Sequence, residues 1–382
     1  MRYIGNKTRL LGFIGRVLDE HGLRSGHAFD AFSGTASVGS FLKKRGFAVS
    51  SCDLMTYSFV LQKARIEADA EPSFERVREH DPELRRARVG GRSRSPLELA
   101  LSPPSPAHDV FRYLESELPS LTAFITRQFA PDGSGDEPGD RMFFTRENAQ
   151  RIDAIRTCIH EWRIAGLLDD PEYFVLLAAL IEGADAVANT TGVYAAFVKS
   201  WQPNALRPLR LRCPDVVPGT GSRCAAYQGN AGSILGEIGP VDILYMDPPY
   251  NTRQYSGYYH VPELLARGWF DGEPELRGKT GLMPDGDLRS AWSTRGGCVD
   301  ALADLLSRAN ARCALMSYNS EGIIPEPEIN RLFREHDRGA TFRLHELDYA
   351  RYRADADHAG RRYKGDHVRE RLYYVECNGH RS

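Results

Sequence analysis

Short apolar runs that end in polar or glycine-rich turns recur in both terminal regions of the chain. Buried parallel strands have this pattern, because both of their faces are covered and their residues need not alternate. Seven segments fit it, namely residues 27–32, 47–52, 224–228, 241–246, 313–317, 342–347 and 372–376. They predict an α/β fold with a doubly wound, mostly parallel seven-stranded sheet, in which the last two strands form an antiparallel pair.

The long segment between the second and third candidate strands has a different pattern. Apolar residues recur at helical spacing over residues 151–162 and 172–187, as in Ile152, Ile155 and Ile159. This spacing places them on one face of an amphipathic helix. The segment is therefore predicted to be mostly helical.

Two stretches of turn-forming residues, 85–107 and 131–136, interrupt this helical segment and are predicted to be loops. We predict that residues 66–219 form a mostly helical domain that is inserted into an α/β domain. Residues 1–65 and 220–382 form that α/β domain.

Composition narrows the class of protein only a little. The 382 residues are 42% hydrophobic, which suffices for a sizeable core, but Lys+Arg 49 against Asp+Glu 51 leaves a net charge of -2 that indicates no particular partner. The seven cysteines are scattered and form no Cys-x-x-Cys pair, which favours reduced thiols over zinc ligands. The amino terminus has no apolar signal core and no stretch reaches the roughly 18 apolar residues of a membrane span, so we predict a cytoplasmic protein.

The first candidate strand runs into the turn Asp30-Ala31-Phe32-Ser33-Gly34-Thr35-Ala36-Ser37. Small residues at the carboxyl end of a strand let a ligand approach the backbone closely. The turn lacks the Gly-x-Gly-x-x-Gly pattern of dinucleotide sites and the Gly-Lys-Ser/Thr of a P-loop, which disfavours nicotinamide cofactors and nucleoside triphosphates. A tight strand-to-helix connection without a ligand has the same composition, so the turn alone leaves both interpretations open.

Asp53 and Leu54 follow the second candidate strand. A carboxylate at this position can accept hydrogen bonds from the ribose hydroxyls of an adenosine-containing cofactor. A helix cap or a surface charge is the alternative interpretation. The small-residue turn after the first strand favours the cofactor.

The most informative motif is Asp247-Pro248-Pro249-Tyr250, which follows the apolar run 241–246. Two prolines remove two amide donors, so the turn offers carboxylate and carbonyl acceptors. The amine of adenine is a poor nucleophile, because its lone pair is delocalised into the ring. Asp247 and the Pro248 carbonyl could each accept a hydrogen bond from this amine. These hydrogen bonds would help to localise the lone pair for attack on a sulfonium methyl group. Tyr250 offers an aromatic face to an adenine that has left the base stack.

These motifs occur in a consistent order over nearly the whole chain, in residues 2–7, 32–35, 53, 192–197, 247–255 and 317–322. In them the chain resembles the alpha-group, Dam-type adenine-N6 DNA methyltransferases and, more closely, one catalytic half of the FokI-type modification methyltransferases. The resemblance implies a class I methyltransferase-like fold, S-adenosylmethionine as the cofactor, no metal, and a role for the helical insert in target recognition.

The resemblance also implies roles for individual residues. The expected catalytic residues are Asp247, Pro248, Pro249 and Tyr250, and the expected cofactor-binding residues are Tyr3, Gly5, Lys7, Asp30, Phe32, Ser33, Gly34, Thr35, Ala36, Ser37, Asp53, Leu54, Asn230 and Ala231. Lys7 would pair with the cofactor carboxylate and Asp30 would face its amino group. Two positions depart from the family pattern, since many relatives carry aspartate at the position of Asn230 and glycine at that of Ala36.

Basic and aromatic residues cluster at 199–212 and 351–371, where phosphate contacts and base stacking are possible. A solvated surface is an equally good interpretation of the charges alone. Arg253 lies three residues after Tyr250 and is the stronger candidate. The expected substrate-binding residues are Arg253, Tyr255, Ser317, Tyr318, Asn319, Lys199, Trp201 and Lys364.

Together these features predict a site-specific methyltransferase that modifies the N6 amine of an extruded adenine in double-stranded DNA, paired with a restriction endonuclease. An RNA adenine-N6 methyltransferase is one alternative, because the same turn can act on an unpaired adenine. A DNA-binding regulator without activity is the other, although it leaves Asp247 without a purpose. Asp247 itself argues against glutamine or cytosine amines as targets, for which Asn or Ser is usual at this position.

Overall fold

A computed structural model describes residues 1–85, 106–131, 141–219, 223–284, 286–350 and 367–377. Seven strands form one sheet in the order β3-β2-β1-β4-β5-β7-β6. The strands are β1 (His27–Asp30), β2 (Ala48–Asp53), β3 (Ala225–Gln228), β4 (Val241–Met246), β5 (Ala311–Asn319), β6 (Arg343–Ala350) and β7 (His367–Glu376). Each corresponds to one of the segments predicted from the apolar runs.

Strands β1 to β5 are parallel, and β7 runs antiparallel between β5 and β6. Strand β4 is buried at five of its six positions, which is why its sequence is an apolar run and not an alternation. With helices on both sides of this mixed sheet, the predicted α/β, class I methyltransferase-like fold is confirmed. The antiparallel pairing of the last two strands is confirmed as well.

The chain divides into two compact units. The sheet unit comprises Tyr3–Gln62, Val217–Tyr258 and Asp285–Ser382, and the helical unit comprises Met1–Arg2, Lys63–Val216 and Tyr259–Pro284. The ends of the central helical segment lie within a few residues of the boundaries expected from the sequence. Residues 259–284 lie shortly after the Asp247–Tyr250 motif in the chain, but their contacts group them with the helical unit.

Helices account for most of the regular structure outside the sheet. Those of the sheet unit are Leu11–Glu20, Ser37–Lys44, Thr56–Gln62, Ala231–Ile238, Tyr255–Tyr258, Cys298–Arg308 and Glu326–Glu335, with short 3-10 turns at Thr8–Leu10, Gly286–Leu288 and Ala291–Ser293. Those of the helical unit are Glu75–His80, Pro106–Arg112, Phe124–Phe129, Arg146–Ile164, Asp170–Val187 and His260–Arg267, with π-helical turns at Lys63–Glu67 and Tyr113–Glu117.

The two long helices begin earlier than the apolar periodicity indicates, because capping residues start them. Thr145 is the N-cap of helix Arg146–Ile164, and its hydroxyl accepts a hydrogen bond from the Asn148 amide. Asp169 and Glu172 form a reciprocal capping box that begins helix Asp170–Val187. Caps satisfy amides that have no partner within the helix, so they extend it beyond its apolar face.

Residues 86–105 and 132–140 cover nearly all of the two predicted loops and lie outside the described residues. Among the described residues, none of the helices combines the length and the apolar character that a bilayer crossing requires.

Candidate active site

The carboxyl ends of β2, β1 and β4 lie side by side and bring the predicted chemical residues of the sheet unit together. Asp30 pairs in register with Tyr245, two residues before Asp247, and Asp53 pairs with Gln228, two residues before Asn230. Parallel strands end at the same edge of a sheet, so four separate sequence motifs meet there.

A cavity of about 790 Å³, counting space that is open to solvent, lies at this edge. Its lining includes predicted residues from the amino terminus and from the ends of four strands, namely Tyr3, Gly5, Phe32, Asp53, Leu54, Asn230, Ala231, Asp247, Pro249, Tyr250 and Tyr255.

A smaller cavity of about 280 Å³ adjoins the first. The lining residues that were expected to bind the cofactor or to be catalytic are Tyr3, Gly5, Lys7, Asp30, Phe32, Ser33, Gly34, Thr35, Ser37 and Asp247. Asp247, Phe32, Tyr3 and Gly5 line both cavities. The catalytic candidate therefore lies where the two cavities meet.

Backbone hydrogen bonds hold the small-residue turn against the neighbouring strands. The Ala31 amide donates to the Tyr245 carbonyl at 3.0 Å, and the Ser33 amide donates to the Cys52 carbonyl at 2.9 Å. Gly34 has a φ of 52°, and a Cβ on it would lie 2.9 Å from the ring of Tyr3. Glycine is therefore required here both for the left-handed backbone and for the close approach of Tyr3.

Ala36 adopts a φ of 62° immediately before helix Ser37–Lys44. The left-handed region is unfavourable for any residue with a Cβ. Alanine in place of the family's glycine therefore keeps the side chain small, but it strains the backbone at Ala36.

Asp30 is 1% exposed, and neither of its carboxylate oxygens makes a hydrogen bond of normal geometry with a described residue. Burial raises the pKa of Asp30 to about 7, and the nearby charges of Asp247 and Asp53 add to the effect. Ser33 and the Phe32 amide act in the opposite direction. A buried carboxylate at a cavity wall without a firm partner is suited to receive a cationic ligand group.

Asp53 already has two backbone partners. Its Oδ2 accepts the Gly34 amide and its Oδ1 accepts the Met55 amide, both at 2.9 Å. A carboxylate oxygen has two lone pairs, so a ribose hydroxyl can still donate to either atom. Asp53 therefore shapes the turn in addition to lining the cavity.

Asn230 is the N-cap of helix Ala231–Ile238, where its Oδ1 accepts the Gly232 amide at 2.9 Å. The structure thus uses the carbonyl of this side chain for capping, while the residue lines the large cavity. This accounts for an amide at a position where many relatives carry aspartate, because both side chains can cap a helix.

The side chain of Asp247 is held by two groups. Tyr250 donates its hydroxyl to Asp247 Oδ1, and the Lys7 ammonium lies 3.3 Å from the same atom and contacts the Tyr250 hydroxyl. Burial raises the pKa of Asp247 to about 6, although Lys7 and the Tyr250 hydroxyl both lower it. Asp247 is therefore largely ionised at neutral pH despite its buried position.

A second carboxylate, which the sequence analysis did not single out, contacts Lys7. Glu370 on β7 lies 3.5 Å from the Lys7 ammonium, and both side chains are buried. Its charge raises the pKa of Asp247. The Lys7 ammonium is shared among Asp247, Glu370 and Tyr250. Its expected pairing with the cofactor carboxylate stays a prediction.

Tyr318, which was expected in the base pocket, contacts Pro249 and Tyr250 of the Asp247 motif. Its hydroxyl lies 3.3 Å from the Pro249 carbonyl and accepts the Ile324 amide at 3.1 Å. Its ring packs edge to face against Tyr250, with centroids 5.3 Å apart. Ser317 is buried on the same strand, and the Asn319 side chain accepts the Glu321 amide.

Part of the large cavity is built from residues 288–293, which no motif indicated. The side-chain amide of Gln254 bonds both the carbonyl and the amide of Ser290, at 3.1 Å and 2.8 Å. Trp292 packs edge to face on Phe32, with centroids 4.8 Å apart. Residues 288–293 thus contribute one wall of the cavity, formed by Leu288, Ser290, Trp292 and Ser293.

The remaining predicted substrate residues are distributed differently. Arg253 is exposed beside Tyr258, and Tyr255 lies with its ring 5.8 Å from that of Tyr3. Lys199 and Trp201 belong to the helical unit. Lys364 lies outside the described residues, as does most of the basic cluster around it.

The sequence is similar to those of known proteins over nearly the whole chain. Residues 3–324 match the family described as D12 class N6 adenine-specific DNA methyltransferase. The chain is 34% identical to the type II methyltransferase M.FokI of Planomicrobium okeanokoites over 382 residues, which cover 98% of this chain and 52% of that protein. It is 31% identical to the type II methyltransferase M.NlaIII of Neisseria lactamica, over 98% of this chain and 99% of that protein.

The chain spans about half the length of M.FokI and of the modification methylase StsI of Streptococcus sanguinis, to which it is 30% identical. The family match nevertheless includes the turn after β1, the helical segment and the Asp247 motif. A methyltransferase requires a methyl donor. The chain belongs to the D12 class N6 adenine-specific DNA methyltransferase family.

Proposed function

We propose that the protein transfers the methyl group of S-adenosylmethionine to the N6 amine of adenine in double-stranded DNA. The observation that carries this proposal is the position of Asp247, a carboxylate held by Lys7 and Tyr250 at the junction of two cavities. The family and the curated relatives support the choice of adenine and of DNA.

The residues of the two cavities fit the chemistry of this cofactor. The carboxylate of Asp30, which makes no firm hydrogen bond within the described part of the chain, would receive the amino group of the methionine part. Asp53 and Asn230 line the large cavity, where ribose hydroxyls and an adenine ring would lie. The cofactor supplies an electrophilic methyl group, whose bond to sulfur breaks with both electrons staying on sulfur as the new bond to nitrogen forms.

Asp247 would act on the adenine amine. Its carboxylate accepts a hydrogen bond from that amine, which concentrates the lone pair on N6 in line with the methyl group. As N6 gains positive charge, the ionised carboxylate stabilises it and takes up the departing proton, directly or through water. The Lys7 ammonium, which also contacts Glu370, can give up its contact with Asp247 without losing every partner.

Tyr250 would hold the extruded base. Its ring lines the large cavity and is fixed by Tyr318 and by the hydrogen bond to Asp247. A stacked base contributes roughly 1–3 kcal/mol of binding free energy, which offsets part of the cost of leaving the duplex.

The helical unit is proposed to select the DNA sequence, with the boundaries of the predicted insert at residues 66–219. Its interposition between the two chemical motifs supports this assignment. Exchanging this segment for that of a relative should change which sequence is methylated. Unchanged specificity in a folded, active chimera would refute the assignment.

The proposed activity is tested by incubating the protein with S-adenosylmethionine carrying a labelled methyl group and with unmethylated duplex DNA or RNA. The DNA is then hydrolysed and its nucleosides are separated. We expect label in N6-methyldeoxyadenosine, and sequencing of the product gives the recognition site. Label in RNA alone, in a cytosine derivative, or in no nucleic acid would overturn the proposal.

Three relatives bear the names of type II methyltransferases or modification methylases. We propose that this chain likewise protects DNA from a restriction endonuclease. DNA from cells that express the protein should resist cleavage by an endonuclease that recognises the methylated site. Complete cleavage of fully methylated DNA by every such enzyme would contradict this role.

A further inference from the structure

A loop of residues 202–209 in the helical unit presents a leucine to solvent. Leu206 is 63% exposed, whereas its neighbours Ala205 and Leu209 are buried. Single exposed leucines are ordinary on protein surfaces and indicate nothing by themselves. The backbone that carries Leu206 and the charges around it are what set it apart.

Asn148 fastens the backbone on both sides of Leu206. It is 4% exposed and projects from helix Arg146–Ile164. Its Nδ2 donates to the carbonyls of Ala205 at 3.1 Å and Arg207 at 2.9 Å, and its Oδ1 accepts the Leu209 amide at 2.9 Å. One buried side chain therefore fixes three backbone groups within five residues.

Two further asparagines hold the beginning of the loop. The side chain of Asn204 donates to the carbonyls of Ala186 and Ala188, at 3.2 Å and 3.0 Å. The buried Asn189 accepts the Gln202 amide at 3.0 Å. A loop that is ordered before it meets a partner loses little conformational entropy on binding.

The surrounding charges match a polyanion. Residues 196–212 contain four cationic side chains and no acidic one, in a chain whose net charge is -2. Arg210 pairs with Glu115 at 3.3 Å, but Lys199 and Arg207 are exposed and have no ion pair with a described residue. Arg207 is the immediate neighbour of the exposed leucine. Such cations suit the phosphates of nucleic acid.

We propose that Leu206 enters the base stack of duplex DNA when the target adenine is extruded, while Arg207 and Lys199 bind the flanking phosphates. An apolar side chain that enters a base step stabilises the unstacked duplex, and a fastened backbone keeps it from yielding. This inference rests on the proposed adenine methylation and names the DNA contact that it requires.

The test compares Leu206→Ala with the parent protein in single-turnover methylation of a duplex that carries the sequenced recognition site. Loss of the wedge should lower the rate about tenfold, because the variant no longer offsets part of the cost of unstacking a base step. A second duplex lacks the base opposite the target adenine, so extrusion is easier. On that duplex the variant should approach the parent rate, and Leu206→Met should retain most activity on both.

Ile164→Ala is the matched control, since Ile164 is 73% exposed in the same unit but lies at a helix end, where Arg163 is paired with Asp170. It should leave both rates unchanged. Arg207→Ala should reduce the dependence of log Kd on log salt concentration by about one phosphate contact, for which the slope changes by roughly 0.9.

The inference is overturned if Leu206→Ala matches the parent on the intact duplex, if its defect is equal on both duplexes, or if Ile164→Ala causes the same loss. A role of this loop in binding a protein would give the first of these outcomes. Failure of the proposed function is distinct, because the parent itself would then methylate adenine in neither duplex.

Discussion

Two buried aspartates at neighbouring strand ends differ in what surrounds them. Asp30 ends β1 and makes no firm hydrogen bond with the described residues, and its pKa is raised to about 7. Asp247 follows β4, contacts Lys7 and Tyr250, and has a pKa of about 6. The partners of Asp247 lower the pKa that burial alone would give it.

The difference indicates two uses of a carboxylate. Asp30 is prepared to bind a cation, because its charge is costly until a partner arrives. Asp247 is kept charged by groups of the protein, so it can exchange one partner for the adenine amine at neutral pH. Substituting each acid in turn therefore should affect different steps.

The largest effect is expected for Asp247→Ala. Loss of the acceptor should lower the single-turnover rate by roughly 10²–10⁴-fold, the usual contribution of a positioned proton acceptor. Affinity for S-adenosylmethionine should change little, because the other cavity residues remain. Rapid-quench methylation, calorimetry and circular dichroism would report these quantities. A folded variant that methylates at the parent rate would refute the role of Asp247.

Asp30→Asn should act on cofactor binding. Losing a charge-assisted hydrogen bond of about 1.5–3 kcal/mol should raise the Kd of S-adenosylmethionine roughly 10- to 100-fold. The melting temperature without cofactor should not fall, because the change removes a buried charge that lacks a partner. Calorimetry and thermal unfolding would measure the two effects.

Asp53→Ala is the matched comparison for Asp30→Asn. It should weaken the cofactor too, but it should also lower the melting temperature, since it releases the Gly34 and Met55 amides. If both variants were equally destabilised, the distinction between a binding carboxylate and a structural one would be wrong.

The pH dependence of kcat/KM for DNA, at saturating S-adenosylmethionine, should reflect Asp247, because kcat/KM reports the pKa of the enzyme before DNA binds. Methylation requires the ionised form of Asp247, so kcat/KM should fall as the pH drops through about 6. Tyr250→Phe removes a hydrogen bond that lowers this pKa and should move the fall to higher pH. Glu370→Gln removes a charge that raises it and should move the fall to lower pH.

Glu376→Gln is the control for these profiles, because Glu376 is exposed on the same strand as Glu370. It should leave the profile in place. Shifts of Tyr250→Phe and Glu370→Gln in the same direction would contradict the arrangement around Lys7.

The smallest effect is expected for Ala36→Gly. Relief of the left-handed strain of about 1–2 kcal/mol should exceed the entropic cost of glycine, about 0.5–1 kcal/mol, so stability should rise slightly. Chemical denaturation would measure the gain. Ala28→Gly in β1 is the counterpart, and it should be destabilising because that position is a buried strand residue.

Strands and strand-end residues could be predicted from the sequence because each motif is continuous. An apolar run, a turn and an acid follow one another within a few residues, as in β4 and Asp247. The sheet topology then places such ends together by a general rule. For this reason the positions of Asp30, Asp53 and Asp247 followed from the chain alone.

Contacts between distant segments could not be predicted in this way. Glu370 reaches Lys7 because β7 pairs antiparallel with β5, opposite Asn319. Residues 259–284 group with the helical unit through tertiary contacts, and no composition shift marks them. The wall at Ser290 and Trp292 likewise has no sequence motif.

The double hydrogen bond of Gln254 to Ser290 ties the segment after the catalytic turn to the cavity wall. Arg253, the expected DNA contact, immediately precedes Gln254. A displacement of this segment by DNA would therefore reach the wall of the large cavity, in which we propose that the cofactor binds. Thermodynamic linkage then requires reciprocity: the factor by which bound DNA changes cofactor affinity equals the factor by which bound cofactor changes DNA affinity.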